Sequence, residues 1–289
     1  MRSLLFVPGD SERKIAKALS SDADALILDL EDAVSPDRKA TARALCAEIL
    51  AQARETPKRL IVRINALDTH HALGDMAAVA RRAPFGLMVP KCGGTSELEY
   101  ISHILDGLEA RDDIPRGQTK LLPVATETAG AVLNLVGGIR TVPRLFGMLW
   151  GAEDLAADIG ALSNRDGSGA YTMPCILARN LCLLAASSAG CVPIDAVFTN
   201  FRDTAGLRAE AEAAARDGFT AKAAIHPDQI EIINAAFTPS VAATEHARRV
   251  IAAFAAAPES GAVSLEGRML DRPHLRTAER VMARSGSSP

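Results

Sequence analysis

The sequence predicts an α/β fold, a (β/α)8 TIM barrel followed by a C-terminal extension. The first observation is a recurring unit: a short apolar run, a polar, glycine or proline turn, and a longer alanine-rich amphipathic stretch. Such alternation is typical of parallel βαβ units. The second observation is that the unit occurs eight times, which favours a closed barrel over an open sheet. The third is that several of the apolar runs end abruptly in a charged residue.

The elements follow directly from this pattern. The predicted strands are Ser3–Val7, Ala25–Leu30, Leu60–Ile64, Gly86–Val89, Leu121–Ala125, Leu145–Leu149, Ala196–Thr199 and Ala221–Ile225. The predicted helices of the barrel are Ser11–Leu19, Pro36–Gln52, Leu73–Arg82, Ser96–Glu109, Gly130–Val136, Thr172–Ala189, Asp203–Asp217 and Pro227–Phe237. Each strand is short and largely apolar, as expected for strands that are buried on both faces.

The repeating pattern changes after Phe237. Val241–Ala257 predicts one more helix, and Val263–Asp271 predicts a short extended piece. Pro273–Ala283 predicts a last helix. We therefore expect a barrel domain over residues 1–237 and an extension over residues 238–289 that has a separate role.

Composition excludes several classes of function. The chain has 289 residues, a formal net charge of -3 and 4% aromatic residues, so neither a basic surface for nucleic acid nor a stacking platform is indicated. No apolar stretch reaches the length of a membrane span. The five cysteines are odd in number and form no C-x-x-C pair. We interpret them as reduced thiols, which indicates a cytoplasmic protein.

Charged and polar residues gather at the predicted strand ends, where a (β/α)8 barrel carries its active site. These residues are Asp29, Glu31, Asp32, Arg63, Asn65, Lys91, Glu127, Glu153, Asp154, Asn200 and His226. Several carboxylates in one place repel each other unless a cation lies among them. Oxygen ligands without a cysteine or histidine cluster suit a hard ion, so the sequence predicts Mg²⁺, with Mn²⁺ as the second choice.

Two carboxylates, Glu127 and Asp154, follow successive strands and are the simplest candidates for the metal ligands. Arg63 and Lys91 are the cations of the same end, and an arginine holds a substrate carboxylate with two parallel hydrogen bonds. A hard metal beside such a clamp suits a 2-oxo acid and the formation or cleavage of a carbon–carbon bond. Taken singly, each carboxylate could instead cap a helix or pair with a nearby lysine.

A set of short motifs resembles the citrate lyase beta subunit-like proteins, within the HpcH/HpaI aldolase superfamily of CoA-ester lyases. The match runs over nearly the whole chain, and each motif is weak when taken alone. The motifs are Arg2–Gly9, Asp29–Asp32, Val62–Asn65, Pro90–Lys91, Thr126–Thr128, Gly151–Asp154 and Val263–Asp271. The family often has serine where this chain has Thr128, which keeps the hydroxyl group.

The resemblance implies a role for each candidate residue. Glu127 and Asp154 would bind Mg²⁺, and Arg63 would hold the carboxylate of the oxo acid. Glu31 and Asp32 would orient water around the metal. The resemblance also implies a homotrimer, in which Asp271 reaches the site of a neighbouring subunit as the acid or base, so that the extension is a lid between subunits.

The implied activity is a Claisen-type lyase that joins a CoA thioester to a small 2-oxo acid, or cleaves the product. Malyl-CoA and citramalyl-CoA are examples of such a product. The alternatives are a thioesterase acting on the same substrates, a beta subunit of a citrate lyase complex acting on an acyl-carrier thioester, and a binding protein without catalysis. The Asp271 segment favours the stand-alone CoA enzyme over the last two.

Overall fold

The apolar runs form the strands of a barrel in the computed structural model, which describes residues 1–137 and 142–285. Each strand is only a few residues long and is followed by a helix that covers the outside of the sheet. The barrel strands are β1 (Ser3–Pro8), β2 (Ala25–Asp29), β3 (Arg59–Arg63), β4 (Gly86–Val89), β5 (Lys120–Pro123), β6 (Gly147–Leu149), β7 (Val192–Asp195) and β8 (Ala221–Ala224).

Helices alternate with these strands and continue beyond them. None of those in the described ranges is long and apolar enough to cross a lipid bilayer. The helices are α1 (Glu12–Leu19), α2 (Lys39–Gln52), α3 (Ala72–Ala80), α4 (Thr95–Arg111), α5 (Ala129–Val136), α6 (Glu153–Asp158), α7 (Met173–Ala189), α8 (Thr204–Asp217), α9 (Ile230–Phe237), α10 (Val241–Ala255) and α11 (Arg272–Ser285).

All eight strands are parallel, in the order β5-β4-β3-β2-β1-β8-β7-β6. The two ends of this sheet meet, because Leu121 N donates to Arg144 O at 2.7 Å and Ala125 N donates to Leu149 O at 2.8 Å. Bridges between β5 and β6 therefore close the sheet into a barrel. The predicted (β/α)8 fold is confirmed.

The barrel interior is filled by apolar side chains that successive strands contribute. Leu4, Ile27, Ile61, Met88 and Leu122 are all fully buried in one cluster. Burying a side chain of this kind contributes about 1.5–3 kcal/mol. The closed interior leaves the strand ends as the place where polar groups can meet a ligand.

Two details of the sequence prediction are wrong. The seventh strand is β7, not Ala196–Thr199. Asp195 is the last residue of the true strand, and it is 1% exposed because Lys222 neutralises it. In addition, Glu153 and Asp154 form the first turn of α6, a helix that the sequence pattern did not predict.

The chain divides into two compact units, Met1–Asn234 and Ala235–Pro289, with the division lying within α9. The second unit has its own small core, in which Phe254 of α10 packs with Ala278 and Met282 of α11. It also contains an antiparallel hairpin of β9 (Ala262–Leu265) and β10 (Arg268–Asp271). The hairpin turn uses Glu266 and Gly267, both at positive φ.

A buried ionic cluster lies where the barrel closes. The guanidinium of Arg144, which is 1% exposed, donates to Glu109 at 2.8 and 2.5 Å. The guanidinium also donates to Thr119 O at 3.0 Å, and the backbone carbonyl of Arg144 accepts a hydrogen bond from Leu121 N of β5. Glu109 is fully buried on α4, so this arginine ties the helix layer to the segment that closes the barrel.

We expect Arg144→Met to destabilise the protein by about 3–5 kcal/mol, because it leaves the Glu109 carboxylate buried without its cation. Urea denaturation followed by circular dichroism measures this change. The control is Arg111→Met. This change removes an arginine of α4, the helix that carries Glu109, and the ion pair of Arg111 with Asp112 is at the surface. Equal losses for the two variants would contradict the assignment.

Candidate active site

The C-terminal ends of the strands surround one cavity of about 380 Å³. Four of the predicted site residues line it: Asp32, Arg63, Glu127 and Asp154. Lys91 and Glu31 are joined to this group by ion pairs. The tertiary structure thus brings together six residues that the sequence placed at five different strand ends.

Arg63, at the end of β3, is held from one side by Asp29 at the end of β2. Its Nε and one terminal nitrogen donate to the two Asp29 oxygens, each at 2.7 Å. The other terminal nitrogen lies 3.0 Å from a Glu31 oxygen. Burial opposes the charged guanidinium, but the hydrogen bonds and charge of Asp29 outweigh it and raise the Arg63 pKa above its usual value. Three of its five N–H groups make no hydrogen bond within the described ranges and remain for a ligand.

Lys91 lies among three carboxylates. Its ammonium is 2.6 Å from Glu31, 3.4 Å from Asp154 and 3.7 Å from Asp32. Burial disfavours the charged form, yet the hydrogen bond with Glu31 and the charges of Asp154 and Asp32 raise the Lys91 pKa above its ordinary value. The side chain is therefore a fixed positive charge at the cavity rim.

The second oxygen of Glu31 is close to Arg63 but is not aligned for a hydrogen bond, and it has no hydrogen-bond partner in the described part of the chain. Burial raises the pKa of this carboxyl, with Arg63 and Lys91 acting in the opposite direction. Such an oxygen, buried and without a donor, is suited to accept from a bound water or substrate hydroxyl.

Glu127 is the most perturbed carboxyl of the site. It is 4% exposed, and burial together with the charges of Asp154 and Glu31 raises its pKa to about 8, against a hydrogen bond from Lys91 N. Lys91 has φ of +49°, a strained conformation for a residue with a side chain, and this turn aims its N–H at Glu127. A Cβ on Gly151 would lie 2.8 Å from Glu127 Cγ, so glycine is needed there.

Asp271 ends β10 in the second compact unit. Its side chain is half exposed, and one oxygen lies 2.5 Å from His274 Nδ1. The backbone N of Asp271 also donates to that histidine nitrogen at 3.2 Å. The hairpin therefore presents a carboxylate with a defined partner, and its catalytic role stays a prediction.

The family is settled by comparison with known proteins. The model of the HpcH/HpaI aldolase/citrate lyase family matches residues 2–227. The chain belongs to this family. The family and the enzyme class that the sequence motifs predicted, an aldolase-like CoA-ester lyase, are confirmed.

Several family members resemble the whole chain. The (3S)-malyl-CoA thioesterase of Cereibacter sphaeroides is 37% identical over 286 residues, covering 98% of this chain and 94% of that protein. The mitochondrial citramalyl-CoA lyase of Mus musculus is 33% identical over 293 residues, covering 97% and 85%. CitE of Mycobacterium tuberculosis, solved with magnesium, acetoacetate and coenzyme A, superposes with a TM-score of 0.79 at 36% identity, covering 99% and 98%.

The residues of this chain fit a hard divalent cation. No three histidine, cysteine or carboxylate side chains of the described ranges are close enough to hold a metal by themselves. The cavity nevertheless has five carboxylates and one cation on its walls, and the ionised form of Glu127 is disfavoured there. A cation bound by Glu127 and Asp154 would relieve this repulsion, with the remaining positions open to water and substrate oxygens.

The apolar part of the cavity lining, which we call the apolar wall, was not predicted from the sequence. It is formed by Phe6, Val124, Leu149, Trp150, Ala196, Val197 and Ile225. These residues come from the ends of several strands, so no local motif indicates them. Trp150 directly follows the predicted strand Leu145–Leu149, but its place beside the cavity depends on the closure of the barrel.

A second groove, of about 460 Å³, opens beside this cavity and was also missed. It shares Phe6 and Ile225 with the cavity. Its wall carries three cations of α1, Arg13, Lys14 and Lys17. The spacing of these residues in the sequence places them on one helix, but a basic helix surface is usually only a solvated surface, so it does not by itself indicate a groove.

We expect the stability of the metal-free protein to fall as pH rises from about 5 to 8, because the folded Glu127 carboxyl (pKa about 8) binds a proton that the unfolded chain releases near pH 4. Glu127→Gln should flatten this slope, whereas Glu48→Gln, at an exposed position of α2, should not. Thermal unfolding in EDTA measures it. Added Mg²⁺ should raise the melting temperature of the wild type more at pH 8 than at pH 6. Parallel curves for Glu127→Gln and wild type would refute this role of Glu127.

Proposed function

We propose that the chain is a Mg²⁺-dependent Claisen-type lyase that forms or cleaves a hydroxyacyl-CoA thioester of the malyl-CoA or citramalyl-CoA type, with a 2-oxo acid as the second partner. The observation that carries this proposal is the cavity itself. Arg63 and five carboxylates line it together with the apolar wall, and a basic groove shares two of its lining residues. The carboxylate of the oxo acid matches Arg63, the short acyl chain matches the apolar wall, and the polyanionic CoA matches the basic groove.

The metal would be held by Glu127 and Asp154, and it supplies Lewis-acid stabilisation of the negative charge that develops on substrate oxygen. Arg63 would bind the carboxylate of the oxo acid through N–H groups that are not hydrogen-bonded to Asp29. Lys91 would add positive charge at the rim. Glu31 and Asp32 would orient Lys91 and water, because both lie within ion-pair distance of that ammonium.

In the cleavage direction the substrate 3-hydroxyl loses its proton to a base and the bond between the carbinol carbon and the thioester α-carbon breaks. The electron pair of this bond forms the thioester enolate, and the carbinol carbon becomes the keto carbon of the oxo acid. We assign Asp271 of a neighbouring subunit as the acid that protonates the enolate carbon, which yields the acyl-CoA. In the synthetic direction its carboxylate removes the same proton.

The apolar wall favours a small oxo acid. Arg63 is the one cation among the residues that line the cavity, and it is already engaged by Asp29. A second substrate carboxylate, as in oxaloacetate, would meet either the apolar wall or the carboxylates. Glyoxylate or pyruvate, with a hydrogen or a methyl group at that position, fits without an unpaired buried charge.

The basic groove suits coenzyme A, which CitE of M. tuberculosis also binds. Arg13, Lys14 and Lys17 are charge-complementary to the diphosphate and 3′-phosphate of CoA. His226 and Phe201 stack with ring centroids 4.9 Å apart near this groove, and such a pair offers a surface for the adenine ring. The shared residues Phe6 and Ile225 lead from the groove to the cavity.

A homotrimer is the proposed assembly. The α5 and α7 helices pack together, and between them they expose Leu133, Val136, Met173, Leu177 and Leu184. Helices that are apolar on their outer as well as inner faces are normally covered by another protein surface. We call this set the α5–α7 surface and propose that a second copy of the chain covers it.

All five cysteines are free, which supports a cytoplasmic location.

The second candidate function is hydrolysis of the same thioester, since the C. sphaeroides relative is named a malyl-CoA thioesterase. Products distinguish the two reactions. A lyase makes an acyl-CoA and an oxo acid, whereas a thioesterase makes free CoA and a hydroxy acid.

Asp271→Ala should abolish lyase turnover while Mg²⁺-dependent binding of the oxo acid stays within about twofold, because the aspartate acts on the thioester carbon. Turnover is measured with acetyl-CoA or propionyl-CoA and glyoxylate, pyruvate or oxaloacetate, and binding by calorimetry. Glu266→Ala, in the turn of the same hairpin, is the control and should keep activity. Full activity of the Asp271 variant would overturn this role, and no turnover by wild type would overturn the function.

Lys14→Glu should raise the KM for the CoA thioester by about tenfold or more without changing the KM for the oxo acid, because charge reversal repels the CoA phosphates. Steady-state kinetics with one substrate varied at a time measures the two values. Lys58→Glu is a control outside the groove. A groove that does not bind CoA would give the same KM in both variants.

Leu177→Glu should convert the wild-type oligomer to a smaller species, because a charge on the α5–α7 surface opposes its burial. Leu73→Glu is a matched control, since both leucines are 56% exposed and lie on barrel helices. Size-exclusion chromatography with light scattering gives the mass. A monomeric wild type, or an unchanged mass for the Leu177 variant, would contradict the assignment.

A further inference from the structure

An ion pair whose two members do not line the cavity is buried in the barrel wall. Lys222 of β8 is fully buried, and its ammonium donates to Asp195 at 2.6 Å, to Ala196 O at 2.8 Å and to Glu210 at 2.9 Å. All three of its N–H groups are therefore used inside the protein. Burying two charges costs several kcal/mol per ion before their attraction is counted, so a pair of this kind is weak evidence for stability.

Asp195 connects this lysine to the cavity. One of its oxygens accepts from Lys222, and the other accepts from the indole nitrogen of Trp150 at 2.7 Å. Trp150 is 1% exposed and lines the apolar wall of the cavity. The lysine fixes the carboxylate, and the carboxylate fixes the plane and the position of the indole ring.

A second chain of contacts returns from Lys222 to the same tryptophan. The other oxygen of Glu210 accepts from Arg165 at 2.7 Å. The Arg165 guanidinium lies 3.8 Å from the centroid of the Tyr171 ring, and Tyr171 meets Trp150 edge to face at 5.0 Å. The contacts thus form a closed ring of six residues, which we call the tryptophan ring: Lys222, Asp195, Trp150, Tyr171, Arg165 and Glu210.

We infer that Lys222 and Asp195 are positioning residues, which set the wall of the oxo-acid cavity through Trp150. This inference rests on the proposed function only in that the ligand of the cavity is an oxo acid. Neither residue is a catalytic residue, because both are buried away from the cavity and Lys222 has no N–H left for a ligand. An apolar pair of similar volume could fill the same space, but it would not hold the indole nitrogen in one direction.

The same ring affects the charged side of the cavity. Trp150 directly precedes Gly151, whose Cα packs against Glu127, and Asp154 follows in the first turn of α6. A shift of the indole therefore moves the segment that carries a candidate metal ligand. We expect weaker binding of the oxo acid rather than loss of the chemical step when the ring is broken.

Trp150 is the single tryptophan of the chain, so tryptophan fluorescence, excited selectively over the two tyrosines, reports on the apolar wall alone. Lys222→Met removes the ammonium and keeps most of the side-chain volume. We expect its Trp150 emission to move to longer wavelength and acrylamide quenching to rise at least about twofold. The KM for the oxo acid should rise about tenfold, with a smaller change in kcat.

Glu210→Gln is the second variant, because its position is 18% exposed and tolerates the change even if Lys222→Met does not fold. It should alter emission and KM in the same direction, whereas Glu212→Gln, at an exposed position of the same helix, should alter neither. Wild-type emission and oxo-acid KM in a folded Lys222 variant, or equal behaviour of the two glutamate variants, would overturn the inference. Failure of the wild type to use any oxo acid would instead overturn the proposed function, since emission still reports on the ring.

Discussion

Mutual repulsion of carboxylates at one end of the barrel is the constraint on which the site depends. Asp29, Glu31 and Glu127 are all buried there, and buried charges of one sign are tolerated only beside cations. Arg63 and Lys91 supply part of that charge, and each is held by more than one carboxylate. Glu127 is left with a backbone N–H and a strongly raised pKa, and its proposed role as a metal ligand rests on this lack of a cation.

The barrel converts this local imbalance into a site with distinct regions. Closure between β5 and β6 brings the Glu127 strand beside the segment with Trp150 and Asp154. The cavity lining then offers both anionic and apolar groups, and the basic face of α1 lines the separate groove beside it. This separation is chemically consistent with a substrate that is an anion at one end, a thioester in the middle and a nucleotide at the other end.

Rigidity around the site comes from groups that do not touch the ligand. Asp29 fixes Arg63 through two parallel hydrogen bonds, and the strained turn at Lys91 aims a backbone donor at Glu127. The tryptophan ring does the same for the apolar wall. In each case a buried charge or a strained backbone costs free energy, and it holds a neighbouring group in one orientation.

The sequence by itself determined the alternation of strands and helices, the barrel and the charged strand ends, because these depend on local periodicity and on short motifs. It also identified Arg63, Lys91, Glu127 and Asp154 as candidates for one site. The tertiary structure decided what each one contacts: that Asp29 occupies half of the Arg63 fork, and that the true seventh strand contains Asp195. Pairs such as Asp195 with Lys222 join residues that are distant in the chain. The packing that stabilises such a buried pair forms only when the barrel closes, so local sequence patterns do not indicate it.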